Sequence, residues 1–158
     1  MLLAVFSDSH GNTENMRRAV ESVRPDHMIF LGDGIRDAEA IEREYPAIPF
    51  ILLRGNCDWR VDGHDESILF ELDGVRIFAA HGHRHGVKMD RDGFWNSVMC
   101  SGSALGLYGH THCALIEQAD GRFLMNPGSV GDFMRPSFGL VKINGGSFSC
   151  EIVPVERG

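Results

Sequence analysis

Histidine, aspartate and asparagine recur in this chain directly after short apolar runs, usually beside a glycine. Six of the eight histidines lie in or beside such loops. A mixture of imidazole, carboxylate and amide groups suits Mn²⁺, Fe²⁺, Zn²⁺, Co²⁺ or Ni²⁺ better than Ca²⁺. The pattern therefore predicts a transition-metal site. The loops are Asp8-Ser9-His10, Gly32-Asp33-Gly34, Gly55-Asn56-Cys57-Asp58, His81-Gly82-His83 and Gly109-His110-Thr111-His112.

The number of candidate ligands predicts two ions rather than one. Two carboxylates, one amide and four imidazoles exceed what one four-coordinate ion needs, but they suit two ions of five or six coordination that share a bridging carboxylate. Two divalent ions with two aspartates and a bridging hydroxide retain a net positive charge, which would attract a phosphoester anion. The candidate metal ligands are Asp8, His10, Asp33, Asn56, His81, His110 and His112.

Composition limits the class of protein and of partner. With 158 residues and 43% hydrophobic residues, we expect one folded domain over residues 1–158. The net charge of −7 argues against broad adhesion to nucleic acid or membrane. We therefore expect a small phosphoester substrate, no membrane partner and no strong nucleic-acid partner. The oligomeric state is left open, a homo-oligomer included.

Cysteine spacing and the start of the chain favour a cytoplasmic protein. The four cysteines form no CxxC pair, and the apolar start at residues 1–6 is too short for a signal peptide. No apolar run approaches the roughly 20 residues of a membrane span. We expect reduced thiols, with Cys100, Cys113 and Cys150 as small core residues.

The first third of the chain alternates between strand and helix patterns. Such β-α-β-α-β alternation is typical of a parallel sheet with right-handed crossovers. The ligand loops follow the strands, and in open α/β sheets ligands bind outside the carboxyl ends of the strands. Strands are predicted at 2–7, 27–31 and 50–53. The first helix is predicted to be capped by Asn12 or Thr13 and to end near 23, and the second to span 37–45.

The remainder of the chain is mostly β. Asp73-Gly74, Asp120-Gly121 and Asn144-Gly145 each separate two apolar runs and predict hairpins. A helix is predicted from about Arg91, and a short strand at 104–108. Together these patterns predict an α/β fold in which two packed mixed β-sheets, a β-sandwich, are flanked by helices. The predicted hairpin strands are 68–72 with 75–80, 115–119 with 122–125, and 137–143 with 147–153.

The five loops, taken in order, resemble those of the calcineurin-like metallophosphoesterases. The Gly55-Asn56-Cys57-Asp58 form, the small size and the loop Asn126-Pro127-Gly128-Ser129 resemble most the YfcE-type phosphodiesterase branch. The resemblance covers nearly the whole chain and implies the same sandwich fold. It also implies a first metal held by Asp8, His10, Asp33 and His112, and a second held by Asp33, Asn56, His81 and His110. Mn²⁺ is the first choice by analogy, with Ni²⁺, Zn²⁺, Fe²⁺ or Co²⁺ as alternatives.

The activity expected from this resemblance is metal-assisted hydrolysis of a phosphodiester by a metal-bridging hydroxide. Asp33, Asn56 and His81 are the predicted catalytic residues. Asn56, Cys57 and His83 are predicted to contact substrate, although a partly exposed loop position explains His83 equally well. The wider family commonly has histidine at position 57, where it is thought to contact substrate or protonate the leaving group. A neutral thiol is a poor substitute for imidazolium, but the YfcE-type branch shares this cysteine.

Two alternatives share the fold. One is a phosphomonoesterase or nuclease on the same metal centre. The other is a non-catalytic scaffold, as in the retromer complex, whose subunit of this fold has a weakened site. The scaffold alternative predicts lost ligands, whereas every ligand position is filled in this chain.

Overall fold

Ten strands form two five-stranded sheets, and three helices cover their outer faces. The computed structural model describes residues 1–158. The predicted fold of two packed mixed sheets flanked by helices is confirmed. The strands are β1 (Leu2–Phe6), β2 (His27–Phe30), β3 (Phe50–Leu52), β4 (Ser67–Leu72), β5 (Val75–Ala80), β6 (Leu105–Leu107), β7 (Leu115–Ala119), β8 (Arg122–Asn126), β9 (Ser137–Asn144) and β10 (Ser147–Pro154).

Each sheet combines parallel and antiparallel strands. The first sheet has the order β10-β9-β1-β2-β3. Its β1, β2 and β3 are parallel, as the alternating pattern predicts. Strand β9 is antiparallel to β1, and β10 is antiparallel to β9. The second sheet has the order β4-β5-β6-β8-β7. Its central strands β5, β6 and β8 are parallel, and the two hairpin partners are antiparallel.

The core lies in three layers, and the side chains along β1 alternate between two of them. Leu3 and Val5 point into the space between the two sheets, whereas Ala4 and Phe6 point toward the helices on the outer face. None of the four is exposed to solvent. A strand buried on both faces needs a continuous apolar run, which is why 2–6 contains no polar residue. Full burial of each large side chain stabilises the fold by about 1.5–3 kcal/mol.

The helices are α1 (Thr13–Val23) and α2 (Ile35–Glu44) on the first sheet, and α3 (Asp92–Cys100) on the second. The start of α1 is as predicted, because the Asn12 side chain accepts the Asn15 backbone N–H at 3.1 Å. The start of α3 also agrees with the prediction. Helix α2 begins two residues before the predicted position 37, because a carboxylate from a distant loop caps it, as described below.

The hairpin turns agree with the predictions in two of three places. Asp73-Gly74 and Asp120-Gly121 have positive φ at both residues, the pattern of a type I′ turn. The third prediction, Asn144-Gly145, was wrong by one residue. Strand β9 continues through Asn144, and Gly145-Gly146 makes the turn with φ of 55° and 87°. Two glycines adopt positive φ at less cost than an Asn-Gly pair.

The core positions predicted for Cys100 and Cys113 were wrong. Both side chains are exposed, because Cys100 is the last residue of α3 and Cys113 lies in the loop after β6. Cys150 is half-buried and packs against the core between the sheets. The helices of this chain are too short or too polar to span a membrane.

Candidate metal centre

The predicted ligand loops meet at one edge of the sandwich, where strands of both sheets end. Asp8 follows β1, Asp33 follows β2 and Asn56 follows β3 in the first sheet. His81 follows β5 in the second sheet, and the loop 109–112 follows β6. The carboxyl ends of parallel strands lie on the same edge, and the packing of the two sheets brings both edges together.

The side chains form two groups of potential metal ligands. Within each group, one ligand atom per residue lies within 4.8 Å of the others. This places His112 with the first group and His110 with the second, the division that the resemblance implies. The first group is Asp8, His10 and His112, and the second group is Asp33, His81 and His110.

The separations within the groups suit coordination of a shared ion. Two ligands about 2.1 Å from one ion, at angles of about 90–110°, lie roughly 3.0–3.4 Å apart. In the first group, His112 Nε2 lies 3.2 Å from both His10 Nε2 and Asp8 Oδ1. In the second group, His81 Nε2 lies 3.2 Å from both His110 Nδ1 and Asp33 Oδ2.

The tautomer of His81 leaves a lone pair that needs a cation. Its Nδ1 lies 3.0 Å from the Leu31 carbonyl, which only accepts, so Nδ1 carries the proton. In the neutral ring Nε2 is then an acceptor, yet it faces carboxylate oxygens of Asp33 and Asp8, the latter at 3.9 Å. Burial opposes charge on His81, but the two carboxylates outweigh it and raise the pKa of His81. The site therefore favours a positive charge between these groups.

Asp8 presents one oxygen to the histidines and holds the other in place. Its Oδ2 accepts the Ser7 hydroxyl at 2.5 Å and the His110 backbone N–H at 3.1 Å. Its Oδ1 is fully buried and has no hydrogen-bond donor. An unpaired buried carboxylate oxygen is costly, and a metal ion shared with His10 and His112 would remove that cost. The donor set and this oxygen both fit divalent metal.

The backbone at the site is strained. Eight residues other than glycine have positive φ, and five of them are candidate ligands. Aspartate and histidine tolerate this region better than most residues, but its cost must be met by surrounding contacts. Concentration of strain here indicates that the loops are shaped to aim these side chains. The five are Asp8 (56°), His10 (45°), Asp33 (62°), His110 (68°) and His112 (60°).

Asp58 organises the second group without being a ligand, and the sequence did not reveal this role. Its Oδ2 accepts the backbone N–H of Asp33 at 2.7 Å and of Gly55 at 2.8 Å. Its Oδ1 accepts those of Gly34 and Ile35 at 2.9 and 3.0 Å. The carboxylate thereby caps α2 and fixes the loop that carries Asp33. The only sequence signal was its place in Gly55-Asn56-Cys57-Asp58.

Asn126 similarly supports the loop 109–112. Its Nδ2 donates to the Gly109 carbonyl at 3.1 Å and to Thr111 Oγ1 at 2.9 Å. Directly after the Asn126-Pro127-Gly128 segment, Ser129 Oγ donates to the Asp8 carbonyl at 2.8 Å. The sequence singled out residues 126–129 only through the resemblance, with no role assigned.

Gly109 and Gly55 lie where a side chain would collide with residues of the candidate site. A Cβ at Gly109 would lie 2.9 Å from Asp8 Oδ2 and still closer to the Ser7 hydroxyl. A Cβ at Gly55 would lie 2.7 Å from the Asp33 nitrogen. The glycines in these loops therefore make room for the carboxylates.

The remaining predicted site residues border the second group. Asn56 is exposed, and its Nδ2 lies 3.7 Å from Cys57 Sγ. The Cys57 backbone N–H donates to Asp33 Oδ1 at 2.8 Å. Half-buried His83 has its ring centroid 5.5 Å from that of His81 and 6.2 Å from that of His110. Metal binding by Asn56, bridging by Asp33 and substrate contact by Cys57 or His83 stay predictions.

The pKa shifts around the second group have physical causes. Burial favours a neutral Asp33, but His81 and the Cys57 N–H outweigh it and hold the pKa of Asp33 well below its usual range. Burial and the His81 charge lower the pKa of His110 to about 4, which keeps this ring neutral. Partial burial and the Asp33 charge raise the pKa of the Cys57 thiol, so it is neutral at pH 7.

Residues 1–146 match the calcineurin-like phosphoesterase superfamily domain. The chain is 32% identical to the probable metallophosphoesterase YsnB of Bacillus subtilis over 133 residues, which cover 82% of this chain and 75% of that protein. It is 30% identical to the phosphodiesterase YfcE of Escherichia coli, over 82% of this chain and 79% of that protein.

A solved structure of Vps29 from Entamoeba histolytica, complexed with Zn²⁺, has a similar fold. The TM-score is 0.78 and the identity 22%, with 99% of this chain and all of that chain covered. At this identity the likeness concerns the fold alone.

Proposed function

This chain belongs to the calcineurin-like phosphoesterase superfamily, and from that premise we propose that it hydrolyses phosphodiesters at a dinuclear centre of divalent metal ions. It is a metallophosphoesterase, similar to proteins named metallophosphoesterase and phosphodiesterase. The diester specificity, the two ions and the hydroxide nucleophile are the proposed part.

One observation carries the proposal. The two ligand groups approach each other at His81 Nε2. This nitrogen lies 3.2 Å from Asp33 Oδ2 of its own group and 3.9 Å from Asp8 Oδ1 of the other group. The carboxylate charges, and the imidazole and carboxylate lone pairs that lack a hydrogen-bond donor, are therefore distributed over both groups. This distribution supports two adjacent cations rather than one. The ligand set we propose is Asp8, His10, Asp33 and His112 for the first ion, and Asp33, Asn56, His81 and His110 for the second.

The ions, when bound, would polarise the phosphoryl oxygens and supply a bridging hydroxide as the nucleophile. The residues of the chain orient this chemistry. Leu31 holds the His81 ring in one tautomer, Ser7 fixes the Asp8 carboxylate, and Asp58 fixes the loop of Asp33. Such fixed partners preserve the ligand geometry between turnovers.

The environment of Cys57 limits the leaving group. A neutral thiol is a weak proton donor, so no strong acid stands at position 57. We propose that the enzyme acts best on diesters with good leaving groups, such as aryl phosphodiesters. Asn56 and His83 would contact the phosphoryl group or its substituents from the exposed side.

Mn²⁺ is the ion that we propose first, by analogy, and Ni²⁺, Zn²⁺, Fe²⁺ and Co²⁺ suit the same mixture of oxygen and nitrogen donors. A cytoplasmic location and a small phosphoester substrate also remain proposals. They are supported by the widely spaced cysteines and by the acidic net charge.

The test compares metal-reconstituted wild type with Asn56→Ala and His81→Ala on bis(p-nitrophenyl) phosphate. We expect both variants to lose most activity. His27→Ala is a matched control, because His27 begins the strand β2 whose other end leads to Asp33. Equal activity in all four proteins would overturn the proposal and favour a non-catalytic scaffold. Assay of p-nitrophenyl phosphate beside the diester, together with a single-stranded oligonucleotide, separates a diesterase from a monoesterase or nuclease.

A further inference from the structure

A cleft of about 360 Å³ opens directly beside the second ligand group. Asn56 and His83, which the proposed function places at the substrate, form part of its wall. Ligand sites commonly have volumes of about 300–1,000 Å³. This cleft is thus large enough for the part of a substrate that lies beyond the scissile phosphate. The rest of its wall is Arg54, Gly55, Trp59, Glu66 and Arg84.

Trp59 is the one large apolar side chain in this wall, and it is 68% exposed. It directly follows the short 3₁₀ helix Asn56–Asp58, so its position is tied to the loop that Asp58 anchors. The Arg60 guanidinium lies 4.5 Å from the ring centroid and holds the indole by a cation–π contact. An exposed, oriented indole is a platform on which a planar ring can stack.

The arginines of the wall give it a net positive charge. Glu66 forms ion pairs with Arg84 and, at 3.6 Å, with Arg54. One carboxylate therefore balances only one of the two guanidinium groups. The pairing keeps both arginines at the wall, and the excess charge favours an anionic ligand.

Building on the proposed function, we propose that this cleft selects phosphodiesters that carry an aromatic ring, which stacks on Trp59 while the phosphate lies at the metal centre. A simple aryl group and a nucleobase share this chemistry. The indole gives the preference for a planar ring, and the arginines add attraction for the anion without regard to the ring. Trp59 would thus be a specificity-determining residue for the reaction.

The test measures binding of three monoesters. Two of them correspond to products that keep an aromatic ring after hydrolysis, and the third has no ring. Calorimetry on Zn²⁺-loaded protein gives Kd for phenyl phosphate, thymidine 5′-monophosphate and methyl phosphate. We expect both aromatic esters to bind wild type more tightly than methyl phosphate. Trp59→Ala should weaken the aromatic esters about tenfold, the scale of one stacked ring, and leave methyl phosphate unchanged. Trp59→Phe, which keeps a ring, should retain most of the preference.

Fluorescence provides an independent readout. The chain has two tryptophans, so Trp95→Phe leaves Trp59 as the only indole. Phenyl phosphate and thymidine 5′-monophosphate should change its emission, and methyl phosphate should not. The tighter of the two aromatic ligands identifies whether an aryl group or a nucleobase fits the cleft.

Phe133→Ala is the matched control, because Phe133 is 83% exposed but does not line the cleft. Equal affinity of wild type for all three esters, or equal weakening of all three in Trp59→Ala, would overturn the assignment of the cleft. Hydrolysis of bis(p-nitrophenyl) phosphate by the same wild-type sample separates the two proposals. Activity without ring preference contradicts only the cleft, whereas absence of both activity and ring preference contradicts the cleft and the proposed function together.

Discussion

The two ligand groups differ in their access to solvent. In the first group, the side chains of His10 and His112 are 41% and 44% exposed. In the second group, His81 is fully buried and the Asp33 side chain is 4% exposed. Both groups have the same shortest separations, so the difference lies in the surroundings rather than in the ligand geometry.

The contrast follows from how each side chain is supported. His81 is fixed by the Leu31 carbonyl, and the backbone of Asp33 is fixed by Asp58. The ring contact between His10 and His112, with centroids 5.1 Å apart, is made within the group itself. A buried and supported ligand set loses little freedom when it binds metal. We therefore expect the second group to hold its ion more tightly and the first to exchange its ion more readily.

The largest effect is expected from His81→Ala. It removes a buried side chain that we propose as a ligand and leaves Asp33 and Asp8 close together without compensating charge. Substituting even a residue that only supports a ligand costs about 10- to 100-fold in metal affinity, so we expect phosphodiesterase activity to fall by at least about 100-fold. His10→Ala, in the more exposed first group, should retain more activity at saturating metal. If His10→Ala proves the more damaging of the two, the proposed ranking of the groups is wrong.

His110→Ala and His112→Ala should separate the two ions. Only Thr111 separates the two histidines in the sequence, yet they lie in different groups. We expect each variant to lose about one equivalent of metal, as measured by elemental analysis after dialysis. His112→Ala should keep the ion of the second group, and His110→Ala should keep the ion of the first group. Spectroscopy of Co²⁺-substituted samples can tell which ion remains, and identical spectra for both variants would contradict separate assignments.

Asp58→Asn should weaken the hydrogen bonds that hold the loop of Asp33 in the second group, without removing a candidate ligand. The amide keeps one acceptor oxygen, but its NH₂ would face two of the four backbone N–H donors. Loss of these charged, buried hydrogen bonds should lower the free energy of unfolding of the metal-free protein by about 2–4 kcal/mol. Chemical denaturation measures this change.

Asp132→Asn is the control for that experiment. Asp132 also accepts two backbone N–H groups, of Met134 and Arg135, but it does so at the surface. A much smaller loss is expected there, because one oxygen, Oδ1, accepts both N–H groups and the amide of the Asn variant keeps an acceptor oxygen in that place. Equal losses in both variants would mean that the two backbone N–H groups left facing the amide NH₂ in Asp58→Asn contribute nothing to stability.

These contrasts show which parts of the site could be predicted from the sequence. The two groups of potential ligands could be predicted because each member is a distinctive side chain at the end of an apolar run. The role of Asp58 could not, since its partners are backbone N–H groups near position 33, and such groups have no sequence signature. Likewise, periodicity identified β5, β6 and β8 as strands but could not show that they lie side by side, because neighbours in a sheet depend on the path of the connections.

The smallest effect is expected from Cys57→His, which changes the chemistry at the edge of the buried group. The backbone N–H of residue 57 donates a hydrogen bond to Asp33 whatever the side chain is, so metal binding should be retained. An imidazolium there could protonate a departing oxygen, whereas the thiol is neutral and a weak donor. A well-placed general acid contributes about 10²–10⁴-fold, and an introduced one should contribute less, about 10-fold.

The readout is the ratio of turnover on a diester with a poor leaving group to turnover on the aryl diester. Aryl leaving groups need little protonation, so only the poor leaving group should benefit, and the ratio should rise. Cys57→Ser is the control for a change of polarity without an added acid. An unchanged ratio in Cys57→His, with metal content intact, would show that position 57 does not face the leaving group. The proton for the leaving group would then have to come from the exposed side of the site, where the first group lies.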